Sequence, residues 1–532
     1  MTKKQELVTI FILLILTIVS FSNFTSIGFV NSDDADCYIR AQGGNILNDS
    51  LIWAKDQGRF FFIYRNFLAS IPYLFESKIW IKTTQYLPIV LNFILASIII
   101  ANHFKSKYLG YLTYICFLFF FSIPVDEFTP PIAYPFLFSL DVLFFLISFS
   151  LLLKFKERKN YSNYLLSLVF FFIPFVSFEA YVIFLPIYLI YSIYIFKGTF
   201  RITDLFNKET LKVTLPVYII FFLYICVYVG FRIIFPSNYS GNQVSNEIDF
   251  LNFLTFVWNL NKPAYPTVIF FQNLFIFNTK NNSLVSIFIK EITFINFIFS
   301  LITTIIFHQF IKKINLTKIS KKKLSISFML IFIHSYLLNV LPAITDKYKS
   351  FKSINSYVTT YLAFYGISIS LVILILLIKK CISKHKLTIT TFNLLIICCV
   401  FVTTIIIQVT NKKIKNEWQK SNQRFEAINY MSKHHFFDKI PQNSILIVPQ
   451  LFKVNTKIGR NITTNTFSWS KYIFTKTNRK YFICENIEQI HLLLKEYNVK
   501  HIFQVQIRDK TNNERIKSIR ITHNNQPLIK NP

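Results

Sequence analysis

The sequence predicts an α-helical polytopic membrane protein of about eleven transmembrane helices, with a small extracytoplasmic α/β domain at its C-terminal end. Three observations predict it. The 532 residues are 53% hydrophobic and 18% aromatic, with a mean hydropathy of +0.44, which exceeds what a soluble chain carries. Apolar runs reach about 19 residues, enough to cross a bilayer as a helix. The Lys- and Arg-rich short loops fall on every second turn of the chain, as positive-inside orientation requires.

The elements follow in order. Met1-Thr2-Lys3-Lys4 precedes a first apolar run from about Leu7 to Phe24, which keeps the basic end in the cytoplasm. Phe21-Ser22-Asn23-Phe24-Thr25 lacks a small-residue cleavage pattern, so this helix is expected to be retained. A first outer loop of about 25–83 leads to a span at Thr84–Asn102, and the basic His103–Lys107 turn to another at Tyr108–Ile123. An acidic outer turn with Asp126 and Glu127 precedes Pro131–Leu153 and the basic segment Lys154–Lys159. Ser162–Phe196 is apolar for 35 residues, too long for one helix, and is expected to fold as a pair turning near Ser177-Phe178-Glu179. Further spans are expected at Leu215–Phe235, Ile292–Phe310, Leu324–Leu341, Tyr357–Ile378 and Thr388–Val409, with a second large outer loop at about 236–291.

Residues 1–410 thus form the membrane domain. From about Asn411 the composition turns polar. Asn416–Phe437 has apolar residues at helical spacing (Trp418, Phe425, Ile428, Met431), followed by strand-like runs at Ser444–Val448, Tyr481–Cys484 and His501–Val505 and a helical stretch at Ile487–Tyr497. An α/β domain over 411–507 and a loose polar tail over 508–532 are expected. The net charge of +31 sits largely in the inner loops, so topology accounts for it and nucleic acid is not an expected partner. No CxxC occurs among the seven cysteines, which gives zinc or redox chemistry no support. The preference for Ile, Phe, Asn and Lys over Ala, Gly and Arg is that of an AT-rich bacterial genome, and the expected location is the bacterial cytoplasmic (inner) membrane.

With an odd number of spans the C-terminal segment emerges outside, and so do the chemically interesting side chains. Asn31-Ser32-Asp33-Asp34-Ala35-Asp36 follows the first span directly. Carboxylates crowded at a membrane surface repel one another and are costly unless chemistry or a cation uses them. Arg59 to Leu68 is an aromatic stretch edged by Arg59 and Arg65, suited to an interfacial helix whose guanidinium groups reach phosphate level. The inner loops hold mostly Lys and offer no active site. Nucleotide donors are absent outside, so an activated substrate has to arrive on a lipid.

This layout resembles the GT-C superfamily of polytopic glycosyltransferases, most nearly the bacterial O-antigen-modifying glucosyltransferases. The matching residues are Asp33-Asp34, Gln57-Gly58-Arg59-Phe60 ahead of the interfacial helix, Glu179 at a mid-chain helix turn, Pro236-x-x-Tyr239-x-Gly241, and Lys347-Tyr348 before a late span. The resemblance covers most of the membrane part, and its weight lies in the order and common sidedness of short motifs. It implies transfer of a sugar from a polyprenyl-phosphate donor to a hydroxyl of a cell-surface glycan such as lipopolysaccharide, with a donor synthase and flippase upstream. Asp33 or Asp34 would take the acceptor proton. Arg59, Arg65 and Lys347 would hold the departing phosphate. Asp36, Glu179, Tyr239, Gly241 and Tyr348 would line the substrate. Arg and Lys alone can stabilise a lipid monophosphate, so no metal or other cofactor is called for, although Asp33, Asp34 and Asp36 also offer oxygen ligands.

Plainer readings stand beside these. An Asp-Asp after a span is often a turn or cap, Arg59 and Arg65 serve equally as interface anchors, and His334 within a span suits helix packing. Glu179 is harder to dismiss, because an isolated carboxylate near lipid needs a partner. Two other functions remain open: a transporter or flippase for lipid-linked glycans, for which Asp141 is the clearest ionisable residue inside a span, and a glycan polymerase or ligase.

Overall fold

The structure, a computed structural model, describes residues 3–22, 24–30, 32–60, 62–122, 135–237, 243–245, 249–265, 291–346, 358–382, 386–455, 461–463, 466–486, 488–497, 499, 501–509, 516–523 and 526–529. Apolar helices stand at all eleven expected positions. Nine are long and apolar enough to cross a membrane among the described residues, from Lys3–Ser22 to Leu387–Lys433, and two are shorter, Lys107–Phe120 and Tyr161–Val176. Their outward faces are apolar: on helix Leu211–Ile234, Phe222, Leu223, Val227 and Ile233 are all more than half exposed, which suits a lipid environment and would be costly in water. This is the build of a multi-pass helical membrane protein. The 35-residue apolar stretch does fold as a pair, broken by short 3₁₀ turns at Ile173–Val176 and Glu179–Phe184 where Pro174 and Ser177 interrupt the ladder.

The chain divides into two compact units, residues Met1–Phe21, Leu47–Ala69 and Thr84–Asn411 in one, and Ser22–Ile46, Ser70–Thr83 and Lys412–Pro532 in the other. In the first unit, helix ends on the side expected to be cytoplasmic are closed by lysines. Lys379 donates to the Ile311 carbonyl at 3.0 Å, Lys380 to the Leu316 carbonyl at 2.7 Å and to that of Ile319, Lys159 to the Phe196 carbonyl at 3.2 Å, and Lys323 to the His103 carbonyl. The ammonium groups of Lys159, Lys323 and Lys379 meet carbonyls in the last turn of a helix and oppose the negative end of its dipole, whereas Lys380 ties down the 3₁₀ turn Leu316–Lys318. The segment between helices Leu211–Ile234 and Phe294–Lys313 holds helix Phe250–Asn261, whose Phe250 and Leu251 are both 70% exposed, a face fit for the membrane interface.

In the second unit, strands β1 (Ile445–Ile447), β2 (Lys453–Asn455), β3 (Asn461–Thr463), β4 (Phe482–Cys484), β5 (Ile502–Asp509), β6 (Ile516–His523) and β7 (Gln526–Ile529) form two sheets. The larger runs β4-β1-β5-β6-β7, with β1 parallel to β4 and β5 and the rest antiparallel; β2 pairs with β3. Helices Thr466–Thr477 and Glu488–Glu496 make the crossovers that parallel pairing demands.

Three expectations need correction. The tail over 508–532 is not loose throughout: β6 and β7 lie in it, and the alternation of Ile519 and Ile521 with polar residues outweighs the basic composition. The polar helix expected from Asn416 is not separate, because helix Lys386–Lys433 runs unbroken for 48 residues across the boundary near Asn411. The first outer loop ends earlier than Thr83: helix Lys78–Phe104 begins at Lys78, and Lys82, which reads as a loop residue by its charge, is fully buried.

Candidate functional site

The acidic motif opens a helix. Ser32–Gln42 carries Asp33 and Asp34 in its first turn, where negative charge is stabilised by the N-terminal end of the helix dipole. The two carboxylates differ. Asp34 is 2% exposed; its Oδ2 accepts the Val30 N–H at 2.6 Å and its Oδ1 accepts the Tyr73 hydroxyl. The buried Lys82 is within electrostatic reach of it. Asp33 is only partly buried. Asp36 accepts from Ser468 Oγ at 3.2 Å, and burial raises its pKa against the pull of Arg40, Ser468 and Lys471. Beside it, burial pushes the Cys37 thiol up to about 12, with Arg40 pulling down and the three aspartates pushing further up. Arg40 donates to Cys37 Sγ at 3.3 Å and reaches Ser70 Oγ at 3.5 Å.

What orients this helix is its lead-in. Gly28 adopts φ +68°, and a Cβ there would meet the Asn422 side chain at 2.3 Å, so only glycine lets the chain lie this close. Asn422 Oδ1 accepts the Phe29 N–H at 2.8 Å, Gln419 donates to Ser26 Oγ at 2.9 Å, and Arg424 donates to the Val30 carbonyl at 2.9 Å. Phe29 packs edge-on against Phe425 and Tyr73. The polar half of the 48-residue helix therefore fixes the carboxylates, a role that no short motif around Gln419–Arg424 announces.

In the first unit, Arg59 and Glu179 meet. Nε of Arg59 donates to Oε1 at 3.1 Å and Nη2 to Oε2 at 2.8 Å, a bidentate pair with Arg59 6% and Glu179 19% exposed. The carboxylate that needed a partner has one, and the guanidinium expected at the phosphate has two of its N–H groups engaged. Gly58 before it has φ +60°, and a Cβ there would stand 2.3 Å from the Phe235 carbonyl oxygen and 2.8 Å from Ser237 N. That close approach explains glycine at this place in the motif and sets Phe60 against Tyr224, Tyr228 and Phe231 on helix Leu211–Ile234.

Arg65 lies on the short helix Phe62–Ser70, its guanidinium 5.8 Å from the Phe138 ring centre and within electrostatic reach of Asp141. Asp141 is fully buried; Ser177 donates to its Oδ2 at 2.5 Å and Tyr181 at 3.2 Å, while Oδ1 has no hydrogen-bond partner among the described residues. Below Tyr181 an apolar cleft of about 380 Å³ opens between the helices, bounded by Phe145, Phe184, His334 and Leu338 and reaching His103. His334 is thus a cleft-wall residue stacked with Phe184.

Tyr239, Gly241, Lys347 and Tyr348 lie outside the described residues, as do Asp126 and Glu127. Among the described residues no group of three or more His, Cys, Asp or Glu side chains forms a metal-binding cluster. Sequence reasoning missed Tyr73 and Lys82, and it missed Arg232, the only charge in the C-terminal half of helix Leu211–Ile234. Compared with models of known protein families and with curated proteins, the chain matches none.

Proposed function

We propose that this protein is a glycosyltransferase that moves a sugar from a polyprenyl-phosphate donor to a hydroxyl of a cell-surface glycan, on the outer face of a bacterial cytoplasmic membrane, with its N-terminus inside and C-terminus outside. The observation that carries the reading is the division of labour at the start of helix Ser32–Gln42: Asp34 is held by Val30 and Tyr73, while its neighbour Asp33 stays partly exposed. A first turn fixed through Asp34, with a partly exposed carboxylate beside it, suits a general base. In the reaction the acceptor oxygen bonds to the anomeric carbon and gives its proton to Asp33. The carbon–oxygen bond to phosphate breaks, and its electron pair leaves with the polyprenyl phosphate. Cationic side chains at lipid-phosphate level would stabilise that leaving group.

The test is mass spectrometry of candidate glycan acceptors after incubation of purified protein in detergent with polyprenyl-phosphate sugars, without nucleotide or gradient. New covalent product from the wild type, lost in Asp33→Asn, is expected. A broad donor and acceptor panel giving no product would defeat the proposal. A second reading, transport of a lipid-linked glycan, is favoured by Asp141, whose Oδ1 has no hydrogen-bond partner among the described residues, inside the spans. It predicts movement of lipid-linked substrate across sealed vesicles with no product formed.

A further inference from the structure

We infer that Arg232, with Lys55 beside it, forms a binding site for a phosphate monoester carried on a lipid chain. The inference rests on the transferase reading for its biological meaning, but its geometry is independent of it. Arg232 stands in the last turn of helix Leu211–Ile234. Its guanidinium carbon lies 5.0 Å from the Tyr228 ring centre, its Nε is buried without a hydrogen-bond partner, and no described carboxylate pairs with it. Lys55 Nζ lies 5.7 Å from the ring of Phe235, the residue that caps the helix three positions beyond Arg232. The rings of Phe60, Tyr228, Phe231 and Phe235 form the floor.

The charges decide what fits. Tyr228 is within electrostatic reach of Arg232, Arg59 and Glu179. Arg59 and Glu179 cancel, leaving Arg232 and Lys55 with no paired carboxylate among the described residues, and Asp56, Lys55's neighbour in sequence, is exposed. A phosphate monoester carries about −1.5 to −2 near neutral pH, whereas a phosphodiester carries one charge. The site therefore matches a monoester better, and a leaving lipid phosphate better than an intact donor, which is the direction catalysis needs. Ile233 and Ile234, exposed beside Arg232 on a helix whose outward face is apolar, set the site against lipid, so the anion that reaches it is one carried on a lipid chain. An arginine here also offsets the helix C-terminal dipole. A lysine would do that equally well, whereas gripping phosphate through two parallel bonds needs the guanidinium.

The experiment is equilibrium binding of undecaprenyl phosphate to the purified full-length protein in detergent, with phosphatidylglycerol and inorganic phosphate as competitors. Loss of one charge-assisted contact predicts about tenfold to hundredfold weaker binding in Arg232→Gln, with Lys55→Gln and Arg232→Lys in between and Lys439→Gln unchanged. Melting temperatures within a degree or two of wild type, at least for Arg232→Lys, establish that the variants are folded. Undecaprenyl phosphate binding unaffected by Arg232→Gln and Arg232→Lys, or absent in the wild type, overturns the inference. So does phosphatidylglycerol or inorganic phosphate competing as tightly, which would make Arg232 a headgroup anchor or a free-phosphate site. Because no turnover is involved, binding that depends on Arg232 in a protein without transferase activity would sink the proposed function and leave this site standing. Transfer that ignores Arg232→Gln would do the reverse.

Discussion

Replacing Asp33 and Asp34 separately distinguishes catalysis from scaffolding at adjacent positions. In Asp34→Asn the amide oxygen still accepts the Val30 N–H, and the Tyr73 hydroxyl can turn to accept from the new NH₂ group, so both contacts survive without charge assistance. Bonds to an ionised acceptor contribute about 1.5–3 kcal/mol against about 1 for neutral pairs, so each contact loses about 1 kcal/mol. Removing the charge from the first helical turn costs about 0.3–1 kcal/mol more. A total of about 2–3 kcal/mol follows, and the buried Lys82, which loses a nearby negative charge, pushes it upward. Asp33→Asn gives up a dipole interaction of about 1 kcal/mol or less, and at a partly exposed position its other contacts weaken less than those of the buried Asp34. Its loss should instead appear in turnover, by about 10²–10⁴ if Asp33 is the base. The assay is paired: thermal unfolding of the purified variants in one detergent, and product formation by mass spectrometry on the folded fraction. The expected pattern is a destabilised Asp34→Asn that retains turnover per folded molecule and a stable, inactive Asp33→Asn. Equal melting shifts for the two, or wild-type turnover in Asp33→Asn, would refute the reasoning.

Breaking the Arg59–Glu179 pair from either side, as Arg59→Met or Glu179→Met, should destabilise by about 3 kcal/mol because an uncompensated buried charge remains. The double variant should cost less than the sum, with a coupling of about 1–3 kcal/mol in thermal unfolding. For Cys37 the unfolded thiol ionises near pH 8.5 and the folded one near about 12, so the unfolded state sheds a proton that the native state keeps. Its stabilising contribution is whole below about pH 8.5 and falls as pH rises toward 12. Pulsed maleimide labelling at pH 8, read by peptide mass, should find native Cys37 unreactive and Cys37→Ser should flatten the alkaline fall in stability. Alkaline phosphatase fused after Lys323 should be inactive and fused after Lys439 active; the reverse would overturn the sidedness.

Much of the membrane architecture was legible because hydropathy and positive-inside charge act locally, and apolar helices stand at the expected places, including the break near Ser177. The site was legible as residue types but not as partnerships. Glu179 declared its need for a partner; that the partner is Arg59, 120 residues earlier, is a tertiary fact. Lys82 misled because charge is a sound marker of loops until another charge waits inside. The late strands were hidden because their alternating isoleucines are diluted by basic residues, and pairing is written in no single strand. The hold of Gln419, Asn422 and Arg424 on Ser26–Val30 joins segments nearly 400 residues apart and has no local signature.

The lysines that close helix ends in the first unit carry two instructions at once. During insertion a lysine in a short loop tells the chain which way to cross, and in the folded protein Lys159, Lys323 and Lys379 finish helices that would otherwise end on bare carbonyls. An evolving chain that trades these residues for neutral ones loses an orientation signal and a helix terminus in the same step, so these charges should drift more slowly than orientation alone demands. Swapping Lys for Arg keeps the signal yet replaces a compact ammonium with a planar fork that fits a single carbonyl pocket less well. Attempts to invert such a protein by moving its positive charges will therefore meet resistance from the folded state as well as from the insertion machinery.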